Sequence, residues 1–361
     1  MADPIDAIEG PGDAMTAIAA PDGGRAAVVR VDLEGTVLWR AELALAGDAG
    51  RRETPPRLVL ARDGGILVVS GLAVIRLGRD GAPGWRADGA ALGMHRIDSA
   101  VELADGAWAV GGSGSPRAAC NRAPTTCDDL QAMVAKLAAN GTVSWRHWHD
   151  AGAPARRGAA AVEAQALGPF GRGGVLAFAH PAPDAAHGHA RLLWLDERGR
   201  LARNAPVEIR AHRAGAAFDR DLVVQRRGDG VLVVSSLAPP ETARGAAAIR
   251  IQTIGSDGRR RGDREVRIAT RFADGTACAV ADGAREIGAG FMLQALTCRA
   301  GTAGAERTAF VLLRFTEPAG AAGAVWLDES ERPLRVSADG RVVLAFAGGR
   351  IVRLALPGEQ P

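Results

Sequence analysis

Three stretches of this chain repeat one pattern: VVRVDLEGTVLW at 28–39, VIRLGRDGAPGW at 74–85 and VAKLAANGTVSW at 134–145. Each runs from a β-branched segment through a short polar turn ending in glycine, and reaches a tryptophan four residues after that glycine. Apolar runs bounded by Gly, Asn and Asp are strand signals. Asp-Gly and Asn-Gly allow the positive φ angles that tight hairpins need. Repetition at intervals of roughly 45–60 residues restricts a chain to stacked copies of one supersecondary unit, none of which can bury its faces alone. Helical periodicity is hard to find.

The clearest unit spans 57–88, RLVLARDGGILVVSGLAVIRLGRDGAPGWRAD. Its strands, lettered A to D from the inside outward, are expected at 57–61, 66–70, 73–77 and around Trp85. Asp63-Gly64-Gly65 forms the A–B turn and Asp80-Gly81 the C–D turn. The same order is read at 97–148, 159–209, 219–268 and 276–328, where GAREIGAG joins A to B. Residues 334–356 supply A, B and C but stop before D, while 14–42 hold one early strand and a full C–D hairpin. The expected fold is all-β: a single β-propeller domain over 1–361, with seven blades of four-stranded antiparallel sheets. An N-terminal segment at 4–8 would lend the last blade its outer strand and close the ring. If 14–42 completes the final blade instead, the ring has six. Closure removes the sheet edges that would otherwise template aggregation.

Asp32, Gly35 and Trp39 form a D-x-x-G-x-x-x-W ending that resembles bacterial propeller repeats of the PQQ-like class. The third copy replaces the Asp turn by Ala139-Asn140-Gly141, and the units from 159 onward lose the Trp at that place. The resemblance implies a propeller in which the tryptophans pack between blades. It does not extend to quinoprotein chemistry, which uses larger rings, calcium and commonly a vicinal cysteine pair. No two cysteines are adjacent here, so no PQQ is expected. Sialidases use a tyrosine nucleophile, and the chain has no tyrosine. GGSGS at 111–115 lacks the lysine and helix start of a phosphate loop, and its glycine is read as turn chemistry.

Alternation of strand direction puts the A–B and C–D turns on one face and the B–C and D–A connections on the other. The C–D turns are short throughout. The B–C connections vary, from a single residue near Gly71 to long segments at 114–128, 181–189, 237–245 and 299–308. Length variation confined to one face of a rigid scaffold is where binding usually resides. Net charge is small, 44 basic against 41 acidic residues, which gives no reason to expect nucleic acid as a partner. Lys136 is the only lysine. No apolar run reaches the roughly 18 residues a membrane helix needs.

The four cysteines fall into two local pairs, Cys120 with Cys127 and Cys278 with Cys298. Local even pairs fit disulfides formed in an oxidising compartment. The expected location is therefore periplasmic or secreted, although MADPIDAIEG lacks the apolar core of a signal peptide. Histidine gives one cluster: His147 and His149 alternate on a D strand, and His180, His187 and His189 follow with Asp184. Imidazoles with a carboxylate suit zinc, copper or nickel. His147, His149, His187 and His189 are thus the candidate metal ligands, with no other cofactor expected. The function expected is a noncatalytic, monomeric binding or scaffold module holding a protein, peptide or glycan on its B–C face. The alternative is a metal- or carboxylate-dependent hydrolase or lyase with its site at the ring axis. Polar side chains converging at the axial ends of strands A and B would favour the alternative.

Overall fold

The computed structural model describes residues 5–10, 12, 14–19, 24–45, 56–116, 131–149, 162–181, 190–207, 222–227, 230–237, 246–269, 277–280, 285–288, 291–299, 306–316, 321–327, 332–337, 341–348 and 350–355. The chain divides into two compact units, Met1–Arg210 and Ala211–Pro361. Each is built of antiparallel sheets whose strands lie side by side in chain order, save that in the sheet within 277–327 the first two strands both pair with the third. Among the described residues the one α-helix is a single turn.

Four sheets make the first unit. The first comprises β1 (Asp6–Glu9), β2 (Met15–Ala19), β3 (Arg25–Val31) and β4 (Val37–Ala44). The second comprises β5 (Arg57–Leu60), β6 (Ile66–Ser70), β7 (Ala73–Leu77) and β8 (Pro83–Asp88). After α1 (Gly89–Leu92) the third follows with β9 (Met94–Glu102), β10 (Trp108–Gly114), β11 (Gln131–Leu137) and β12 (Val143–His149). The fourth holds β13 (Val162–Phe170), β14 (Gly174–Pro181), β15 (Ala190–Leu195) and β16 (Leu201–Val207).

In the second unit one sheet comprises β17 (Leu222–Arg227), β18 (Gly230–Leu237), β19 (Ala246–Ile254) and β20 (Arg260–Ala269). The next comprises β21 (Ala277–Val280), β22 (Arg285–Gly288), β23 (Phe291–Arg299), β24 (Glu306–Thr316) and β25 (Ala321–Leu327). The last has β26 (Arg332–Val336), β27 (Val342–Ala347) and β28 (Arg350–Ala355).

Why these segments pair as they do is visible at the turns. In each C–D hairpin of the first five sheets a glycine amide donates back three residues: Gly35 to Asp32, Gly81 to Gly78, Gly141 to Ala138, Gly199 to Asp196 and Gly258 to Gly255. All five glycines have φ between 76° and 84°, and a register shift follows in the adjoining strand. This is a turn closed by a glycine bulge. The polar turn residue supplies the rest. Asp80, Asn140 and Asp257 accept from the amide two residues on, while Asp32 and Asp196 accept from the amide four residues on. Asn140 therefore does the work of the missing aspartate.

The core lies between sheets. In β6 every residue is buried, and period-two alternation sends successive side chains to opposite neighbours. Ile66 and Val68 join Ile18, Val28 and Leu43 of the first sheet. Leu67 and Val69 join Ile97, Trp108 and Met133 of the third. Each such aliphatic side chain contributes about 1.5–3 kcal/mol by leaving water, so neighbouring sheets stabilise one another.

Three expectations are corrected. Segment 4–8 does not lend its strand to the last sheet: β1 pairs with β2, Asp6 opposite Ile18, so 14–42 is part of a complete sheet. A short hairpin closed by the Gly10 amide on the Ala14 carbonyl has little loop entropy to overcome. Ala7 and Ile8 are then buried, and the Asp6 carboxylate takes the Leu58 amide of the next sheet at 2.8 Å. The sheet β26–β28 has three strands among the described residues. GAREIGAG is not simply a connection, since β22 within it pairs with the first half of β23 while β21 pairs with the second half. Finally, Gly111, Gly112 and Gly114 lie inside a fully buried strand, β10, and not in a turn.

Candidate functional site

The seams between sheets in the first unit carry the repeated tryptophan. Trp39, Trp85 and Trp145 each lie over the C–D turn of the following sheet. Their Nε1 atoms donate to the carbonyls of Arg79, Ala139 and Glu197 at 2.9, 2.7 and 2.9 Å. Each indole covers a turn glycine so closely that a Cβ on Gly81, Gly141 or Gly199 would sit 2.5–2.6 Å from its ring.

The basic residue opposite the tryptophan, on strand C, ties the same edge. Arg30, opposite Trp39, donates to the Gly64 carbonyl at 3.0 Å. Lys136, opposite Trp145, donates to Asp105 at 2.8 Å and to the Gly173 carbonyl at 3.0 Å. This bond, ahead of the Ala107 amide, holds the Asp105 carboxyl below the usual range. In the fourth sheet the pair is exchanged: Trp194 is on strand C and Arg203 on strand D, with the guanidinium 4.2 Å above the indole.

Beyond the tryptophan position, the second and fourth residues of strand D share its side of the strand. They are Ala41 and Leu43 in the first sheet and Ala205 and Val207 in the fourth, while in the second the strand ends at Asp88 and only Ala87 falls in the series. In the third sheet alone they are His147 and His149. Their rings stack 6.3 Å apart at 20°. His149 is buried, and its strand partner Ala132 and that of His147, Val134, belong to the apolar cluster between the third and fourth sheets. Burial pushes the His147 imidazole pKa down, against a hydrogen bond from the ring to the Gly199 backbone. Its Nε2 is buried with no hydrogen-bond partner.

A second polar group lies on β9, an inner strand in which sequence reasoning singled out no residue. Pairing with β10 skips two residues: Ser99 and Ile97 face Gly111 and Gly112, and Arg96 and Met94 face Ser113 and Gly114. The residues left over are Asp98 and His95. Bulges re-aim side chains and recur beside functional sites. Asp98 Oδ1 accepts from Arg96 Nε at 2.6 Å, and its Oδ2 is buried without a partner. The glycines opposite permit this, because a Cβ on Gly112 would land on the Arg96 carbonyl and one on Gly114 on the Gly93 carbonyl. The signal was present as MHRIDSAVE, a polar inner strand facing WAVGGSG.

Of the remaining candidates, His187, His189, Cys120 and Cys127 lie outside the described residues, as do His180's side chain and Asp184. Among the described residues no group of three or more His, Cys, Asp or Glu side chains is arranged to hold a metal ion. No helix among them is long and apolar enough to cross a membrane. Cys278 and Cys298 are direct partners in the β21–β23 ladder. Such partners have Cα atoms about 4.5–5.5 Å apart, within the roughly 4.4–6.8 Å a disulfide spans. Non-reducing peptide mapping is expected to find Cys278 joined to Cys298. Reduction should then cost the second unit about 3 kcal/mol, and free thiols or crossed pairs would refute the linkage.

No protein-family model and no curated protein sequence matches the chain. Among solved structures, hydrazine synthase of Kuenenia stuttgartiensis is similar at 10% identity and a TM-score of 0.55, over 98% of this chain and 95% of that one. The Pan2 WD40 domain of Neurospora crassa is similar at 10% identity and a TM-score of 0.48, over 95% and 86%. With the antiparallel sheets in chain order, the first of these likenesses establishes a β-propeller fold.

Proposed function

We propose that the chain is a noncatalytic binding propeller of the periplasm or extracellular space. It takes a protein, peptide or glycan on the face bearing its B–C and D–A connections. The observation carrying this reading is the unequal use of the two faces. On the A–B and C–D side of the first unit, turn after turn is committed to the fold by Asp and Asn caps, tryptophan stacking, and the Arg30 and Lys136 ties. The connections whose lengths vary most in the sequence join strands B and C, whose linked ends lie at the opposite end of the strands from those turns. The proposal includes a monomeric, disulfide-bearing chain whose repeats are kin to the PQQ-like class at the level of fold.

The polar bulges of β9 are the one observation that favours a hydrolase or lyase. Arg96, however, neutralises Asp98 at 2.6 Å. A carboxylate so paired is better suited to recognising a polar ligand group than to moving a proton. The test is panning on glycan and peptide arrays, with wild type beside variants whose 117–129 or 182–189 segments are replaced by short Gly-Asn linkers. Binding lost in the shortened variants, with circular dichroism unchanged, is the expected result. Binding that survives both, or that is abolished by Leu33→Glu or Leu38→Glu on the exposed C–D hairpin of the first sheet, would sink the assignment.

A further inference from the structure

We infer that His147 and His149 form a bis-imidazole site for a divalent transition-metal ion, Cu(II) above Ni(II) and Zn(II), at the outer edge of the third sheet. This goes beyond ligand binding by the loops and does not depend on it.

Position is the first ground. Wherever strand D of the other sheets of the first unit reaches these places, it fills them with Ala, Leu or Val. Packing alone is thus satisfied by small apolar residues, and the imidazoles serve no need common to the seam. Burying the His147 ring with its Nε2 unpartnered costs free energy unless that nitrogen is used.

Geometry is the second. Residues two apart on a strand point to the same side, and the rings lie 6.3 Å apart and 20° from parallel. An ion held by both would draw the rings closer than this, with each ligating nitrogen about 2.0 Å from the metal. His147 Nε2 is buried and has no hydrogen-bond partner, while the Gly199 backbone engages the ring. A ligating histidine characteristically gives its other nitrogen to a backbone carbonyl or carboxylate, which fixes the ring and raises its basicity. Neutral imidazole is the form that binds metal. Two imidazole nitrogens suit Cu(II), Ni(II) or Zn(II), and the general affinity order puts copper first.

The fourth sheet supplies the control. His147→Ala/His149→Val installs the residues found there as Ala205 and Val207, so the double variant is expected to fold with thermal stability equal to or above that of metal-free wild type. The experiment titrates Cu²⁺ into untagged protein, followed by calorimetry and by electron paramagnetic resonance. The expected result is one ion per chain with nitrogen hyperfine structure. Each single variant should bind at least about tenfold more weakly, and the double variant should lose the nitrogen signal. Wild type that takes up no copper at micromolar concentration would overturn the site, as would a folded double variant that binds with unchanged affinity and spectrum.

Discussion

Gly112→Val should unfold the third sheet, at a cost of about 4 kcal/mol or more, the range reserved for substitutions the backbone cannot accommodate. A Cβ at this position falls on the Arg96 carbonyl, with the Ile97 Cα 3.1 Å away. These are backbone atoms of β9 and cannot rotate aside. Nor can β10 retreat, because a Cβ on Gly111 would lie 2.6 Å from both the Ala164 oxygen and the Ala166 nitrogen of β13. The strand is held between two backbones, and the Ser99 hydroxyl accepts the Ala166 amide at 2.8 Å beside it. Urea unfolding followed by tryptophan fluorescence checks the prediction, since Trp108 is buried at the start of the same strand. A loss below about 1 kcal/mol, the size of an ordinary surface or propensity effect, would mean that β9 and β10 do not approach as described.

Gly141→Val should cost about 3–4 kcal/mol, and Gly35→Val only about half of that. Both glycines hold the same place in a C–D turn, at φ 83° and 84°, so both variants carry the penalty of a branched residue in left-handed backbone, about 1–2 kcal/mol. Only Gly141 lies beneath an indole, with a Cβ 2.5 Å from Trp85 Cδ2, whereas Gly35 has nothing within 4 Å. The valine would lift Trp85 and break its bond to the Ala139 carbonyl, adding about 1 kcal/mol for the bond and more for the uncovered ring. Matched chemical denaturation of the two variants gives the difference directly. Equal losses would show that tryptophan stacking contributes nothing to the seam.

What the sequence disclosed and what it hid differ by physical cause. Strand and turn positions in 57–88 were legible because β-branched runs and Asp-Gly turns are local signals. The tryptophan seam was legible because its spacing repeats. The role of GGSG was not, because glycine serves both positive φ and close approach, and only the neighbouring backbones distinguish them. The same holds for the bulges at His95 and Asp98: a bulge exists only in relation to a partner strand. The first sheet was misread because MADPIDAIEG offers few β-branched residues, and a hairpin of low loop entropy decided its pairing. His147 and His149 were found by alternation, but their singularity emerged only when four sheets could be aligned by register.

Lys136 has one more consequence. It is the only lysine in the sequence, its side chain is 10% exposed, and it is paired with Asp105 at the junction of the third and fourth sheets. Acylating reagents aimed at lysine therefore meet no accessible target while that junction is closed. The rate of Lys136 labelling becomes a clock for its opening, readable by mass spectrometry at a single peptide without introducing any probe.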